Sequence, residues 1–220
     1  NHFFDAGKEL ELGERVAVHH GSDSGTYDSK ACFIKAIELD PVPAGYYQRL
    51  MFELMLNGNE TIAINTAKGR LELNARACGL KVLQADPSSS DVFECLGKTF
   101  APGEHSIDVL LGRKGSTPIR AALTEQDCYL RALELNKNNA VAWMNLGVIE
   151  QELNNFETSI NYFNKAIEID PLYFHVYNNK GILLCEVGQY QEAIINFNKA
   201  IELQPDLLEA ILNKADAFKE

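Results

Sequence analysis

The sequence lacks the features that mark a membrane-spanning protein or a cysteine-based metal site. Its 220 residues include five cysteines, none of which forms a CxxC pair. No stretch approaches the roughly 20 apolar residues that a membrane-spanning helix needs. We therefore expect no membrane span and no metal bound through cysteine.

Positive charge is also scarce. The chain has 20 lysines and arginines against 31 acidic residues, a net charge of -11. Residues 140–220 contain 12 acidic and 5 basic side chains and carry a net charge of -7, which leaves -4 for residues 1–139. A negative field repels phosphate backbones, so we expect no nucleic-acid partner. It favours a partner segment with basic or neutral character.

Three of the cysteines recur at one place in a repeated unit. Cys32, Cys78 and Cys128 each follow, one helical turn later, a residue that can cap a helix: Asp28, Asn74 and Thr124. Cysteines of successive repeats would lie about 10 Å apart if stacked helices set their spacing. This distance exceeds the roughly 7 Å between Cα atoms that a disulfide tolerates. We interpret them as small core residues in a reducing compartment, which makes the cytoplasm the expected location.

The C-terminal part contains a sequence repeat, seen as the units 140–173 and 174–207. Small, aromatic and proline residues recur at matching places: Gly147 and Gly181, Phe163 and Phe197, and Pro171 and Pro205. Glycine lets two helices approach, phenylalanine fills the space between them, and proline ends the second helix.

This pattern resembles the tetratricopeptide repeat family. The resemblance implies an all-α fold, a right-handed α-solenoid of helix pairs, each with a helix A and a helix B. We expect five complete pairs and a sixth helix A in a single domain, 1–220. Residues 1–139 would hold three modified repeats, and residues 140–220 two standard repeats and a partial one.

The first three repeats depart from the family between helix A and helix B. Three short segments, 15–18, 61–64 and 106–109, alternate apolar with small or polar residues, and each is followed by a glycine-containing turn and a second short run. This pattern predicts an inserted β-hairpin in each repeat. Two strands span about 9.6 Å, similar to the helix spacing, so we hypothesise that adjacent hairpins join into one antiparallel sheet.

An asparagine recurs at the same position of successive units, at Asn145, Asn179 and Asn213. The resemblance implies that this position of helix A faces a concave groove, where an amide can both donate to and accept from a peptide backbone. The other residues expected in the groove are Met144, Val148, His175, Asn178, Ile182 and Glu209.

The residues that some family members use to hold a terminal carboxylate are mostly absent here. Met144, Val148, Glu209 and Asn213 replace the expected lysine, asparagine and arginine, and only Asn179 matches. We therefore expect a protein or peptide partner with basic or apolar character, bound as an extended peptide or a helix. Two alternatives remain open: a structural subunit that contacts neighbours through the hairpin edge, and a substrate-recruiting region of a larger enzyme such as a glycosyltransferase.

Catalysis, cofactors and metals find little support in the sequence. His19 and His20 are adjacent on a predicted strand, so they point to opposite faces and cannot easily share an ion. The glycine loop 112–117 lacks the spacing of a phosphate-binding loop. We expect neither enzymatic activity nor a cofactor. Because the chain starts at Asn1 and stops in a helical pattern at Glu220, we expect it to be part of a longer protein.

Overall fold

The computed structural model describes residues 2–10, 16–20, 23–56, 58, 60–113 and 116–219. These residues form eleven helices and six short strands, and they divide into two compact units, Asn1–Cys128 and Tyr129–Glu220. Helices dominate both units, and successive helices pack as pairs. The predicted mainly α, helix-pair fold is confirmed, whereas the single domain 1–220 stays a prediction.

In the first unit, a β-hairpin separates successive helices along the chain. Strands β1 (Val16–His20) and β2 (Asp23–Tyr27) lie in sequence between helices α1 (His2–Glu9) and α2 (Ser29–Leu39). Strands β3 (Ile62–Thr66) and β4 (Gly69–Leu73) lie in sequence between helices α3 (Ala44–Leu56) and α4 (Ala75–Ala85). Between α5 (Ser90–Gly97) and α6 (Glu125–Leu135) lie β5 (Ile107–Arg113) and β6 (Ser116–Leu123). Each strand pair is antiparallel, which confirms the three predicted hairpins.

Helices α2, α4 and α6 begin at the predicted caps. Asp28 accepts a hydrogen bond from the backbone N–H of Ala31 at 2.8 Å, and Asn74 accepts one from Ala77 at 2.9 Å. Thr124 accepts from the N–H of Asp127, whose carboxylate accepts in return from the N–H of Thr124. These bonds satisfy N–H groups that the first turn of a helix leaves unpaired. One turn later, the predicted core cysteines Cys32, Cys78 and Cys128 are fully buried.

The hairpins pack on helices rather than on one another. Strand β3 contacts α2, and strand β5 contacts α4, in each case the second helix of the preceding pair. The inward side chains Ile64 and Val109 are fully buried. Among the described strands the hairpins form three separate two-stranded sheets, so the hypothesis of one continuous sheet is wrong. For β3 and β5, the preceding helix and not the preceding hairpin supplies the apolar surface that the strand buries.

A charged clamp fixes the segment that leads into the third hairpin. The guanidinium of Arg76, on α4, donates two 2.6 Å hydrogen bonds to the carboxylate of Glu104 and a third bond to Thr99. The bonds from Arg76, with one from the backbone of Ala101, lower the pKa of Glu104 to about 2. The clamp thus ties the loop between α5 and β5 to the same helix that β5 covers.

The second unit contains the plain repeats. Its helices after α6 are α7 (Ala140–Glu152), α8 (Phe156–Ile169), α9 (Phe174–Glu186), α10 (Tyr190–Leu203) and α11 (Leu208–Ala217). Tight turns join α7 to α8 and α9 to α10, and each has one residue in the left-handed region, Asn154 (φ 61°) and Gly188 (φ 75°). Asparagine and glycine are the residues that adopt this conformation most readily.

Small residues on helix A face large ones on helix B. A Cβ added to Gly147 would lie 2.6 Å from Cε1 of Phe163, and one added to Gly181 would lie 2.5 Å from Cε1 of Phe197. Real Cβ atoms do not approach so closely, so a larger residue at either glycine would force the phenylalanine ring or the helix to move. Ser159 reinforces the first contact, because its hydroxyl donates to the carbonyl of Gly147 at 2.7 Å.

The second helix pair reverses this arrangement. Met51 occupies the helix A place of Gly147, and Gly79 occupies the helix B place of Phe163. A Cβ on Gly79 would lie 3.1 Å from the Met51 sulfur. The large side chain thus comes from the opposite helix, and the space between the two helices is still filled.

Candidate functional site

Helices α7, α9 and α11 form one face of the second unit. Helix α9 contacts both α7 and α11, so the three helices A are neighbours in space. Asn145, Asn179 and Asn213 stand at equivalent points of these helices, and all three are partly exposed. The face therefore carries one amide per helix. We refer to the surface of α7, α9 and α11 that includes these asparagines as the groove face.

Two of the three amides have partners within the protein. Nδ2 of Asn145 donates to the carbonyl of Val141 at 2.8 Å, one turn earlier in α7. Nδ2 of Asn213 donates to Oδ1 of Asn178 at 3.3 Å, which connects α11 to α9. Each bond uses one amide hydrogen, so the amide oxygen and the second hydrogen remain to pair with a ligand.

The other predicted groove residues fall into three groups. Val148 and Ile182 are partly buried, and His175 and Glu209 are exposed. Met144 is only 9% exposed and packs in the core with Phe163 and Leu183, and Asn178 is only 2% exposed. Asn178 therefore acts here as a support for Asn213 rather than as surface.

A cleft of ≈ 200 Å³ opens between α9, α10 and α11. Its walls are mostly apolar and comprise Ile182, Cys185, Tyr190, Phe197 and Ala217. Asn213 and Asp216, both on α11, add its polar groups. We call this space the α11 cleft. It adjoins the groove face, since Ile182 and Asn213 belong to both.

The Asp216 carboxylate beside the cleft forms an exposed ion pair with Lys219. The Asp216 carboxylate accepts a 2.6 Å hydrogen bond from Nζ of Lys219, but both side chains are largely exposed. The bond to Asp216 raises the pKa of Lys219. Ion pairs this exposed are worth little, because water and salt compete for both partners. An incoming cation can therefore replace Lys219 at Asp216.

The thiols are poorly suited to catalysis. Burial raises the pKa of Cys78 to about 12, and burial with nearby acidic groups raises that of Cys128 to about 12. Burial also raises the pKa of Cys185, beside the α11 cleft. A thiol attacks as its thiolate, so a raised pKa keeps these cysteines mostly in the less reactive protonated form at neutral pH.

Metal ligands are not gathered in the described part of the chain, where no three His, Cys, Asp or Glu side chains are placed to hold an ion. The side chains of His19 and His20, and residues 114 and 115 of the glycine loop, lie outside the described residues. Among the helices of the described ranges, none is long and apolar enough to cross a membrane.

The sequence predicts a groove that contains Ile182 and Asn213, and this stays a prediction. It does not predict the α11 cleft, whose depth depends on Phe197 and Ala217. A comparison of the repeats position by position could have found it, because Ala217 stands where the preceding repeat has the larger Leu183.

Comparison with known proteins agrees with this architecture. Residues 138–206 match the sequence model of the tetratricopeptide repeat family. No match was found among curated protein sequences. The solved structure of MamA is 21% identical and covers 80% of this chain and 87% of its own, with a TM-score of 0.54.

Two further solved structures show the same fold. Pseudomonas aeruginosa pilF is 21% identical over 80% of this chain and 68% of its own, with a TM-score of 0.56. YrrB is 21% identical over 85% of this chain and 82% of its own, with a TM-score of 0.51. Residues 138–206 therefore match the tetratricopeptide repeat family, and the chain has the helix-pair fold of these solved structures.

Proposed function

We propose that this chain is a protein-interaction scaffold that holds an extended segment of a partner protein on the groove face. The observation that carries the proposal is the row of partly exposed amides at Asn145, Asn179 and Asn213, one on each of three neighbouring helices. The fold is shared with YrrB, a protein described as having an unusual peptide-binding site.

The amides suit a peptide backbone because each offers both a donor and an acceptor. An extended peptide repeats its own N–H and C=O groups along its length, so a row of amides can hold it without regard to its side chains. Internal bonds orient Asn145 and Asn213 before a ligand arrives. Such preorganisation lowers the entropic cost of binding.

Side chains around the amides would select the partner. Val148 and Ile182 offer apolar surface, while Glu209 and Asp216 are exposed carboxylates on α11. The net charge of -7 on residues 140–220 adds a long-range attraction for cations. The proposed partner segment therefore has basic or apolar character.

The proposal is tested with peptides selected from a random phage-displayed dodecapeptide library on the full chain. Binding is measured by fluorescence anisotropy for the wild type and for Asn145→Ala/Asn179→Ala, called here the groove variant. We expect the groove variant to bind at least about fivefold more weakly, since two hydrogen-bonding groups are lost at roughly 0.5–1.5 kcal/mol each.

A matched control removes two asparagines from the helices B instead. Asn161 on α8 and Asn198 on α10 are both exposed, and Asn161→Ala/Asn198→Ala should bind the selected peptides as the wild type does. Equal affinity of the wild type and the groove variant would contradict the proposal, as would equal losses in the groove and control variants.

A second candidate function uses the hairpins as contacts with neighbouring subunits. The observation that favours it is their separation, because among the described strands none of the hairpins pairs with another and their edges carry unpaired backbone groups. Pro118 in β6 lacks an N–H, which limits strand addition at that point. Sedimentation velocity over a hundredfold range of concentration tests self-association through these edges, and a constant monomer mass would contradict it.

A further inference from the structure

The two junctions between successive helices A in the second unit provide an internal comparison. Ile182 and Leu183 on α9 occupy the repeat positions that Asp216 and Ala217 occupy on α11. Leu183 is fully buried and packs in one core with Phe163 and Val176. At the α7–α9 junction, a large aliphatic side chain thus fills the space beside the helix B phenylalanine.

At the α9–α11 junction the filling residue is small. Ala217 packs beside Phe197, the equivalent of Phe163, but alanine lacks the three outer carbons of leucine. Asp216 also replaces an isoleucine with a shorter, charged side chain. The α11 cleft of ≈ 200 Å³ lies at this place. The cleft thus coincides with two positions at which α11 has smaller or shorter side chains than α9.

The chemistry of the cleft defines what can enter it. Ile182, Cys185 and Tyr190 form the accessible apolar walls that accept a hydrocarbon chain, above the buried Phe197 and Ala217. Asn213 uses its Nδ2 toward Asn178, which leaves its oxygen as an acceptor, and the Asp216 carboxylate only accepts. A group that satisfies two acceptors must donate, and lysine and arginine combine donor-only heads with long aliphatic stems.

We infer that the α11 cleft is a specificity pocket for one lysine or arginine side chain of the bound partner segment. This inference rests on the proposed function, because the pocket adjoins the groove face that would hold the peptide backbone. The stem lies against Ile182 and Tyr190, and the cationic head bonds to Asn213 and Asp216. Lys219 occupies Asp216 in the free protein and is displaced by the head.

The test uses blocked heptapeptides, acetyl-Ser-Ala-Ala-X-Ala-Ala-Ser-amide, in which X is lysine, arginine, norleucine or glutamate. Each is titrated into the ¹⁵N-labelled full chain, and the amide signals of Ile182, Asn213 and Ala217 are followed by NMR. We expect the lysine and arginine peptides to shift these signals and to bind about tenfold more tightly than the norleucine peptide, which lacks the charged hydrogen bonds. The glutamate peptide should bind most weakly.

Two variants separate the pocket from the rest of the groove. Ala217→Leu restores the filled junction and should weaken the lysine peptide at least about tenfold, with no preference for lysine over norleucine left. Asp216→Asn keeps the space and removes the charge, so it should retain norleucine binding and lose most of the lysine preference. It keeps the test valid if Ala217→Leu disturbs α11.

The outcomes distinguish this inference from the proposed function. The pocket is overturned if Ala217→Leu and Asp216→Asn both leave lysine-peptide affinity unchanged, or if no peptide shifts the three signals. In that case, loss of phage-selected peptides by the groove variant would still support the groove face. If the groove variant also binds those peptides normally, both proposals fail. Lysine-dependent binding that only the pocket variants remove would support the pocket and contradict the role of the amides.

Discussion

At the scale of single residues, one small and one large side chain meet between the two helices of three helix pairs in this chain. Gly147 with Phe163 and Gly181 with Phe197 show one arrangement, while Met51 with Gly79 shows the reverse. The sequence predicted the first from the repeat register. It did not predict the second, since nothing local to Met51 indicates that its partner on the next helix is a glycine.

The small side of such a contact can be tested against a natural control. Gly181→Val places carbons within the space of the Phe197 ring, so we expect it to lower the free energy of unfolding by about 1–3 kcal/mol. Ala215 stands at the equivalent place of α11, where it is exposed. Ala215→Val should cost only the lower helix propensity of valine, roughly 0.5 kcal/mol. Urea unfolding followed by circular dichroism measures both, and equal losses would contradict the packing argument.

At the scale of secondary-structure elements, the sequence predicts the strands and the helix caps correctly, but it does not predict how the hairpins pack. The hairpin strands and the caps Asp28, Asn74 and Thr124 follow from neighbouring residues, so sequence alone placed them correctly. The pairing of hairpins depends on which surface lies beside them in the fold. The spacing of strands and helices is compatible with a continuous sheet. The strands that carry the buried residues Ile64 and Val109 pack instead against the preceding helix.

The contact between the third hairpin and α4 gives a prediction at this scale. A Cβ on Gly112 would overlap the carbonyl oxygen of Gln84, a backbone atom that a rotamer change cannot move. Gly112→Ala should therefore push β5 from the end of α4 and cost about 1–3 kcal/mol, although alanine is normally favoured over glycine in a strand.

Hydrogen exchange locates the effect of that substitution. We expect faster exchange in β5 and β6 of Gly112→Ala, with little change in α9 and α10. Leu110, on the same strand, is 40% exposed, so Leu110→Ala is the control and should change exchange far less. A Gly112→Ala protein with wild-type exchange in β5 would show that the strand does not depend on this close approach.

At the scale of the whole molecule, the sequence predicted the type of surface more readily than its shape. Composition gave the net charge of -11, and the repeat register placed Asn145, Asn179 and Asn213 on equivalent turns. The α11 cleft cannot be predicted from the sequence. Its volume depends both on the distance between the helices and on the size of the side chains at Ile182, Phe197 and Ala217. A sequence states which side chains are small but not whether the neighbouring helices close around them.

Net charge and local charge can be separated by two substitutions that change the net charge equally. Asp216→Asn removes a carboxylate beside the α11 cleft, and Glu168→Gln removes one on α8, where it is exposed and paired with Lys165. If the overall field attracts the lysine heptapeptide, both variants weaken binding equally. We expect Asp216→Asn to weaken it about tenfold and Glu168→Gln less than twofold, because Asp216 lines the cleft, whereas Glu168 is an exposed charge on another helix and is already paired with Lys165.

The salt dependence of binding also distinguishes the local charge of Asp216 from the net charge of the molecule. As the NaCl concentration is raised from about 50 to about 500 mM, the wild type should lose affinity for the lysine peptide, since salt screens the attraction between the cation and the exposed carboxylate. Asp216→Asn should show a flatter dependence, and Glu168→Gln should follow the wild type. Two variants with equally flat curves would assign the attraction to the acidic molecule as a whole and remove Asp216 from the recognition of the partner.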